Sequence, residues 1–259
     1  WPYPDPGATH HPSLRPESPQ SPETPPSRPP FRPPSGRVKT FSSLQNHVNY
    51  RYLWTGNLFA NCAQWLQFIT IGWLALDISG SAFHSILTVA VRALPLLILG
   101  PWGGVLADRL DRRKLVMGVQ VVMVSSALAF GILLDNGKID SIWHVYAYML
   151  VSGIAFAFVQ PTRQALVANV VPREDLGNAL ALNAMAVTSM RLAGAAISGV
   201  LIETVAFHWN FFVESALYVG MIVLLAPMKT PYRQDSERTK ASPLADLKEG
   251  FQFIFGSRE

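Results

Sequence analysis

Six stretches of this chain, 53–76, 83–107, 115–134, 142–165, 178–202 and 210–228, are each about 20 residues or longer and almost continuously apolar. At ~1.5 Å of rise per residue, a helix of that length matches a hydrocarbon core roughly 30 Å thick. Soluble core helices would need polar outer faces, which 115–134 and 210–228 lack. Composition agrees. Charged residues make up 15% of the chain, against about 25% in a soluble domain. The sequence therefore predicts an all-α membrane protein with six transmembrane helices.

The loops between these stretches alternate in charge. Segments 77–82 and 203–209 contain Asp77 and Glu203 but no Lys or Arg, and 135–141 has one Lys against two Asp. The other set is basic: Arg37, Lys39 and Arg51 before the first stretch, four cations in 109–114, Arg173, and then Lys229, Arg233, Arg238 and Lys240. Basic loops stay cytoplasmic, so both ends are expected there, in a multi-pass protein of the cell membrane. The net charge of +4 does not point to nucleic acid, because the cations gather at the ends of apolar segments.

Flanking regions differ in kind. Residues 1–36 hold 13 of the 20 prolines, so 1–40 reads as a Pro-rich disordered cytoplasmic tail. The bundle is expected over 41–228, followed by a cytoplasmic linker over 229–259. Within that linker, Ser242 and Pro243 read as an N-cap and first helical residue. Leu244, Leu247, Phe251 and Ile254 follow at helical spacing, which predicts a surface-lying amphipathic helix over 243–255.

Polar residues inside the apolar stretches are the candidate functional residues. Asn57, Asn61, Gln64 and Gln67 recur at i, i+4, i+7 and i+10, on an arc of about 120°. Two readings follow: a pathway wall that hydrogen-bonds solutes, or interhelical hydrogen bonds that hold the bundle together. Arg92 and Arg191 lie roughly 12 Å or deeper along their helices, and Asn183 lies on the helix of Arg191. Intramembrane ionisable residues are functional candidates by default. Arg163 reads as a positive-inside anchor or as a residue of the cytoplasmic mouth. Glu214 reads as a proton-coupling site, a partner for an Arg, or a carboxylate that snorkels to the surface. The stretch 178–202, rich in Ala and Gly and holding Arg191, should be covered by other helices or line a wet cavity. Gly100 with Gly104, and Ala195 with Gly199, are the small-residue pairs expected to let helices approach closely. Pro95, Pro101 and Pro161 are expected to kink or interrupt their helices.

Other chemistry is poorly represented. Cys62 is the only cysteine, which leaves no disulfide framework and no zinc or redox pair. His10, His11, His47, His84, His144 and His208 are scattered without ligand spacing. Neither an enzyme nor a cofactor is expected.

The turn between the second and third stretches is the most specific motif. It reads Gly104-x-x-x-Asp108-Arg109-x-x-Arg112-Arg113, and Asp111 stands where it can N-cap the next helix. This spacing resembles the signature loop of major facilitator superfamily transporters. Further matches are Arg92-Ala93-Leu94-Pro95, Pro161-x-Arg163-Gln164-Ala165-Leu166 and Asn178-Ala179-x-Ala181-Leu182-Asn183. Together they resemble the enterobactin exporter and macrolide efflux branch over residues 45–255. Two departures stand out. The family pattern usually has Gly where Asp111 stands. The family's frequent Arg-x-x-Gly-Pro is here Arg191-Leu192-Ala193-Gly194-Ala195.

The resemblance implies one six-helix half of a major facilitator fold, truncated before a second half. It implies secondary active transport by alternating access, with proton-coupled efflux of a small amphipathic molecule. Gly104, Asp108, Arg109, Arg112 and Arg113 would form the gate. Asn57, Asn61, Gln64, Gln67, Arg92, Asn183 and Arg191 would line the substrate pathway, and Glu214 would carry the proton. The implied partners are a small-molecule substrate, protons, the lipid bilayer and the missing C-terminal six-helix half. The alternatives are an uptake permease of the same fold or a non-transporting six-helix scaffold.

Overall fold

The structure is a computed structural model that describes residues 42–231, except for the side chains of residue 42 and of 101–109. The expected Pro-rich tail, the amphipathic helix over 243–255 and the side chains of Gly104, Asp108 and Arg109 lie outside that set. All six apolar stretches are helical. A short helix α1 (Ser42–Asn46) precedes α2 (Val48–Ser79), α3 (Ala82–Arg109), α4 (Arg112–Asp135) and α5 (Ile142–Val170). A 3-10 turn (Arg173–Asp175) leads into α6 (Leu176–Thr204), and α7 (Phe207–Leu225) follows. There is no strand among the described residues.

Local chemistry sets the helix ends. Asp111 N-caps α4, its carboxylate accepting from the amides of Arg113 and Lys114 at 3.0 and 3.2 Å. Gly80 ends α2 in the left-handed region at φ 65°, where a side chain would be strained. Of the two expected effects, kinking or interruption, the prolines do not cause interruption. Pro161 sits inside a continuous α5, and Pro95 and Pro101 inside a continuous α3. Neighbouring helices can satisfy the backbone groups that such a proline frees.

Five of the long helices are long and apolar enough to cross a membrane. The exception is α2, the longest at 32 residues. Its amides dilute its hydropathy, and it compensates by position. It packs against α3, α5, α6 and α7, while α3 lies mainly on α5, and α4 on α7 and α5. Two apolar clusters fill the bundle. One gathers Leu53, Leu166, Leu182, Met221 and Leu225, and the other Ile71, Leu74, Phe130, Met149 and Phe211.

Gly100 and Gly199, one member of each expected small-residue pair, are not points of close helix approach. Gly199 has open space around its missing side chain, and Gly100 faces only Leu96 of its own helix. The tight crossings are at Gly153 and Gly194. A methyl group on Gly153 would overlap the Arg92 carbonyl, and one on Gly194 would lie 2.6 Å from the Cys62 carbonyl. The surroundings of α6 also differ from expectation. Only its flank toward α2 is covered, and Met185, Leu192 and Val200 are exposed.

Candidate functional site

Four polar side chains from three helices meet inside the bundle. Glu214, on the second turn of α7, is fully buried. Its Oε1 accepts from Gln67 Nε2 on α2 at 2.8 Å. The Tyr148 hydroxyl on α5 donates to both carboxylate oxygens, at 2.9 and 3.0 Å, and accepts from Gln67 Nε2 at 2.8 Å. One turn along α5, Ser152 Oγ donates to Gln67 Oε1 at 2.9 Å. The snorkelling expectation for Glu214 is therefore overturned, because its partners pull it inward. Among the described residues it makes no ion pair within 4 Å with an Arg. Neutral donors hold a carboxyl group here, an arrangement that can accommodate the group with or without its proton.

Nearer the opposite end of α5, Arg163 is also buried, so it is no surface anchor. Its Nη2 donates to Asn61 Oδ1 at 3.0 Å, while its Nε finds no partner. Arg163 lines a narrow cleft with Gln64, Arg92, Gln120, Ser152 and Tyr218. Arg92 is half-buried, with its guanidinium 4.9 Å from the centroid of the Phe156 ring. The cleft draws residues from five helices.

The amide stripe of α2 does not act as one wall. Asn57 donates to Asn183 Oδ1 on α6 at 3.0 Å, Asn61 meets Arg163, and Gln67 meets the Glu214 cluster. Only half-buried Gln64 faces the cleft. Asn57, Asn61 and Gln67 thus make the interhelical hydrogen bonds that formed the second reading of the sequence. Arg191 is exposed on α6, stacked over the Trp65 ring at 4.5 Å.

The basic turn fastens three helices at one end of the bundle. Arg112 Nη1 donates to Asn169 Oδ1 at 3.0 Å and to the Ala165 carbonyl at 3.4 Å, both on α5. Arg113 Nε donates to the Leu225 carbonyl at 2.9 Å, and its Nη2 to the Ala226 carbonyl. A cation at the end of α7 satisfies carbonyls that have no intrahelical partner and opposes the negative end of the helix dipole. At the same end, His47 Nε2 lies 2.8 Å from Asp175 Oδ2, which ties α1 and α2 to the start of α6.

Residues 38–259 match the profile of the transmembrane secretion effector family. The chain belongs to this family, a branch of the major facilitator superfamily. Its curated relatives are transporters. An uncharacterized MFS-type transporter of Bacillus subtilis, YfiS, is 22% identical over 82% of this chain and 50% of its own length. The multi-drug resistance efflux pump PmrA of Streptococcus pneumoniae is 27% identical over 77% of this chain and 49% of its own. The staphyloferrin A transporter of Staphylococcus aureus is 23% identical over 69% and 45%. Among solved structures, the peptide transporter POT in complex with alafosfalin shares the fold. It has a TM-score of 0.63 at 12% identity, over 82% of this chain and 45% of that one. The chain spans about half the length of the curated relatives it matches. As a family member it is a multi-pass membrane protein and not an enzyme.

Sequence reasoning missed Tyr148, Ser152, Gln120 and Tyr218. Tyr148 and Ser152 stand four apart, on one face of α5, which is the spacing that could have revealed them. Gln120 was visible as a lone amide in an otherwise apolar stretch.

Proposed function

We propose that this chain forms one half of a proton-coupled exporter of small amphipathic molecules. A second six-helix half would complete it, and α2 would span the membrane with the other five long helices. The single observation carrying this reading is the Glu214 carboxyl group, fully buried in a membrane helix among Tyr148, Gln67 and Ser152 with no cation in ion-pair contact. Such a group is costly to keep ionised in a bilayer and is retained where a proton or ion must be handled. Loop charge supports cytoplasmic ends and a cytoplasmic signature turn. In this reading Arg112 and Arg113 hold the cytoplasmic ends of α4, α5 and α7 as one rigid unit, so that the half moves as a body. The efflux functions of relatives support the outward direction.

The test uses the complete protein in proteoliposomes, with ethidium, Nile red and fluorescein as cationic, neutral and anionic probes. Movement of at least one probe should follow an imposed pH gradient and collapse with a protonophore. Glu214→Gln should abolish the response to the gradient. Movement that persists unchanged without the gradient would remove proton coupling from the reading.

Uptake by the same fold is the second reading, and one observation favours it. Arg92 and Ser152 line the same cleft, and Ser152 is linked through Gln67 to Glu214. A substrate anion that engages Arg92 would leave the carboxyl group to be protonated, so proton and substrate would enter together. The direction of probe movement relative to the gradient separates the two.

A further inference from the structure

The cleft between α2, α3, α4, α5 and α7 carries more positive charge than its surroundings neutralise. Arg92 and Arg163 both line it, and a guanidinium stays protonated in proteins. Among the described residues neither has a carboxylate within 4 Å. Arg92 rests on the face of Phe156, and Arg163 has one amide oxygen for a partner. A buried cation without a counter-charge is expensive unless something else supplies it.

The polar groups around these cations are also incompletely used. Arg163 Nε, Asn61 Nδ2 and Gln120 Oε1 are buried without hydrogen-bond partners, in residues 6%, 3% and 2% exposed. Two of the three orphaned atoms are donors. Glu214 is the buried carboxylate to consider, but Tyr148 and Gln67 already hold it.

We infer that Arg92 and Arg163, with Asn61 beside them, form a binding site for an anionic oxygen group, a carboxylate in the first instance, on the transported molecule. This rests on the transport reading and names the substrate class for it. The cleft has about 10 Å³ of free space as it stands, so a carboxylate would enter only as the helices part, where it would accept from Arg163 Nε and offset the charge of both guanidiniums. The flanking Phe156, Met123 and Val159 would receive the apolar part of an amphipathic acid.

Binding to the purified complete protein in nanodiscs, measured by calorimetry, provides the test. Salicylate is the anionic probe, salicylamide its neutral analogue, and benzyltrimethylammonium the cationic control. Salicylate should bind about tenfold or more tightly than salicylamide, the difference that charge-assisted hydrogen bonds provide. Arg163→Gln should erase that preference, and Arg163→Lys should restore part of it. Should Arg163→Gln fail to fold, the preference of the unmutated protein and of Arg92→Gln still decides. Equal binding of salicylate and salicylamide, no binding of salicylate, or a preference untouched by both Gln variants would overturn the inference. None of those outcomes touches the proteoliposome assay, so the transport reading stands or falls separately.

Discussion

Glu214, Tyr148, Gln67 and Ser152 form one hydrogen-bonded unit, and their energies should not add. Tyr148→Phe removes the hydroxyl donor from both carboxylate oxygens and is expected to cost about 1–3 kcal/mol of stability. The same change in a Glu214→Gln background should cost less, because the amide can rearrange its own bonds. Thermal unfolding of the four proteins in detergent gives the coupling energy directly. Strict additivity would mean that the cluster seen here is not formed. At the same scale, Asp111→Ala removes the cap of α4 and should cost about 1 kcal/mol, while Asp111→Asn should be nearly neutral. These two residues also mark what can be read from a sequence. Asp111 acts on amides two and three residues away, so its role followed from local spacing. Glu214 acts on side chains 66 and 147 positions away, and spacing cannot report such partners.

Helix pairing in this bundle depends on two points of backbone contact. Without a strong hydrophobic drive between helices in lipid, association relies on close packing, and glycine permits the closest approach. Gly153→Ala and Gly194→Ala should each separate a helix pair, α3 from α5 and α6 from α2, at a cost of about 1–3 kcal/mol. Gly118→Ala, inside α4 with nothing within 4 Å of the added methyl, should leave the unfolding temperature unchanged or raise it. Equal effects at all three positions would contradict the crossings described above. The sequence offered two small-residue pairs at helical spacing, Gly100 with Gly104 and Ala195 with Gly199, and no means of weighing them against single glycines. Gly194 rather than its neighbour Ala195 is the contact, because the rotation of α6 about its axis is fixed by α2. The same holds for the α2 amides, which share one face yet reach three different neighbours.

For the whole molecule, the fold and the orientation can be probed together. Cys62 is buried and should resist an impermeant maleimide in intact cells. In a Cys62→Ala background, Asn136→Cys, between α4 and α5, should label from outside. Leu110→Cys, in the signature turn, should label only after permeabilisation. The opposite pattern would invert the topology proposed from loop charge. In the proposed complete exporter, the exposed flanks of α3 and α6 would face the helices of a second half.

The helical class and the order of the apolar helices were determined by the sequence alone, though not α1, the 3-10 turn or the helix lengths. A run of about 20 apolar residues has one stable form in a bilayer, and charge at its ends orients it. The Asp111 cap in the signature turn was legible because it acts within a few residues, whereas the partners of Arg112 and Arg113 on α5 and α7 were not. Tertiary structure decided the rest. It turned Glu214 inward to Tyr148 and Gln67, buried Arg163 against Asn61, and set Arg92 beside the same cleft. Each of these depends on the rotation of one helix against another, which the pattern along a single helix does not specify.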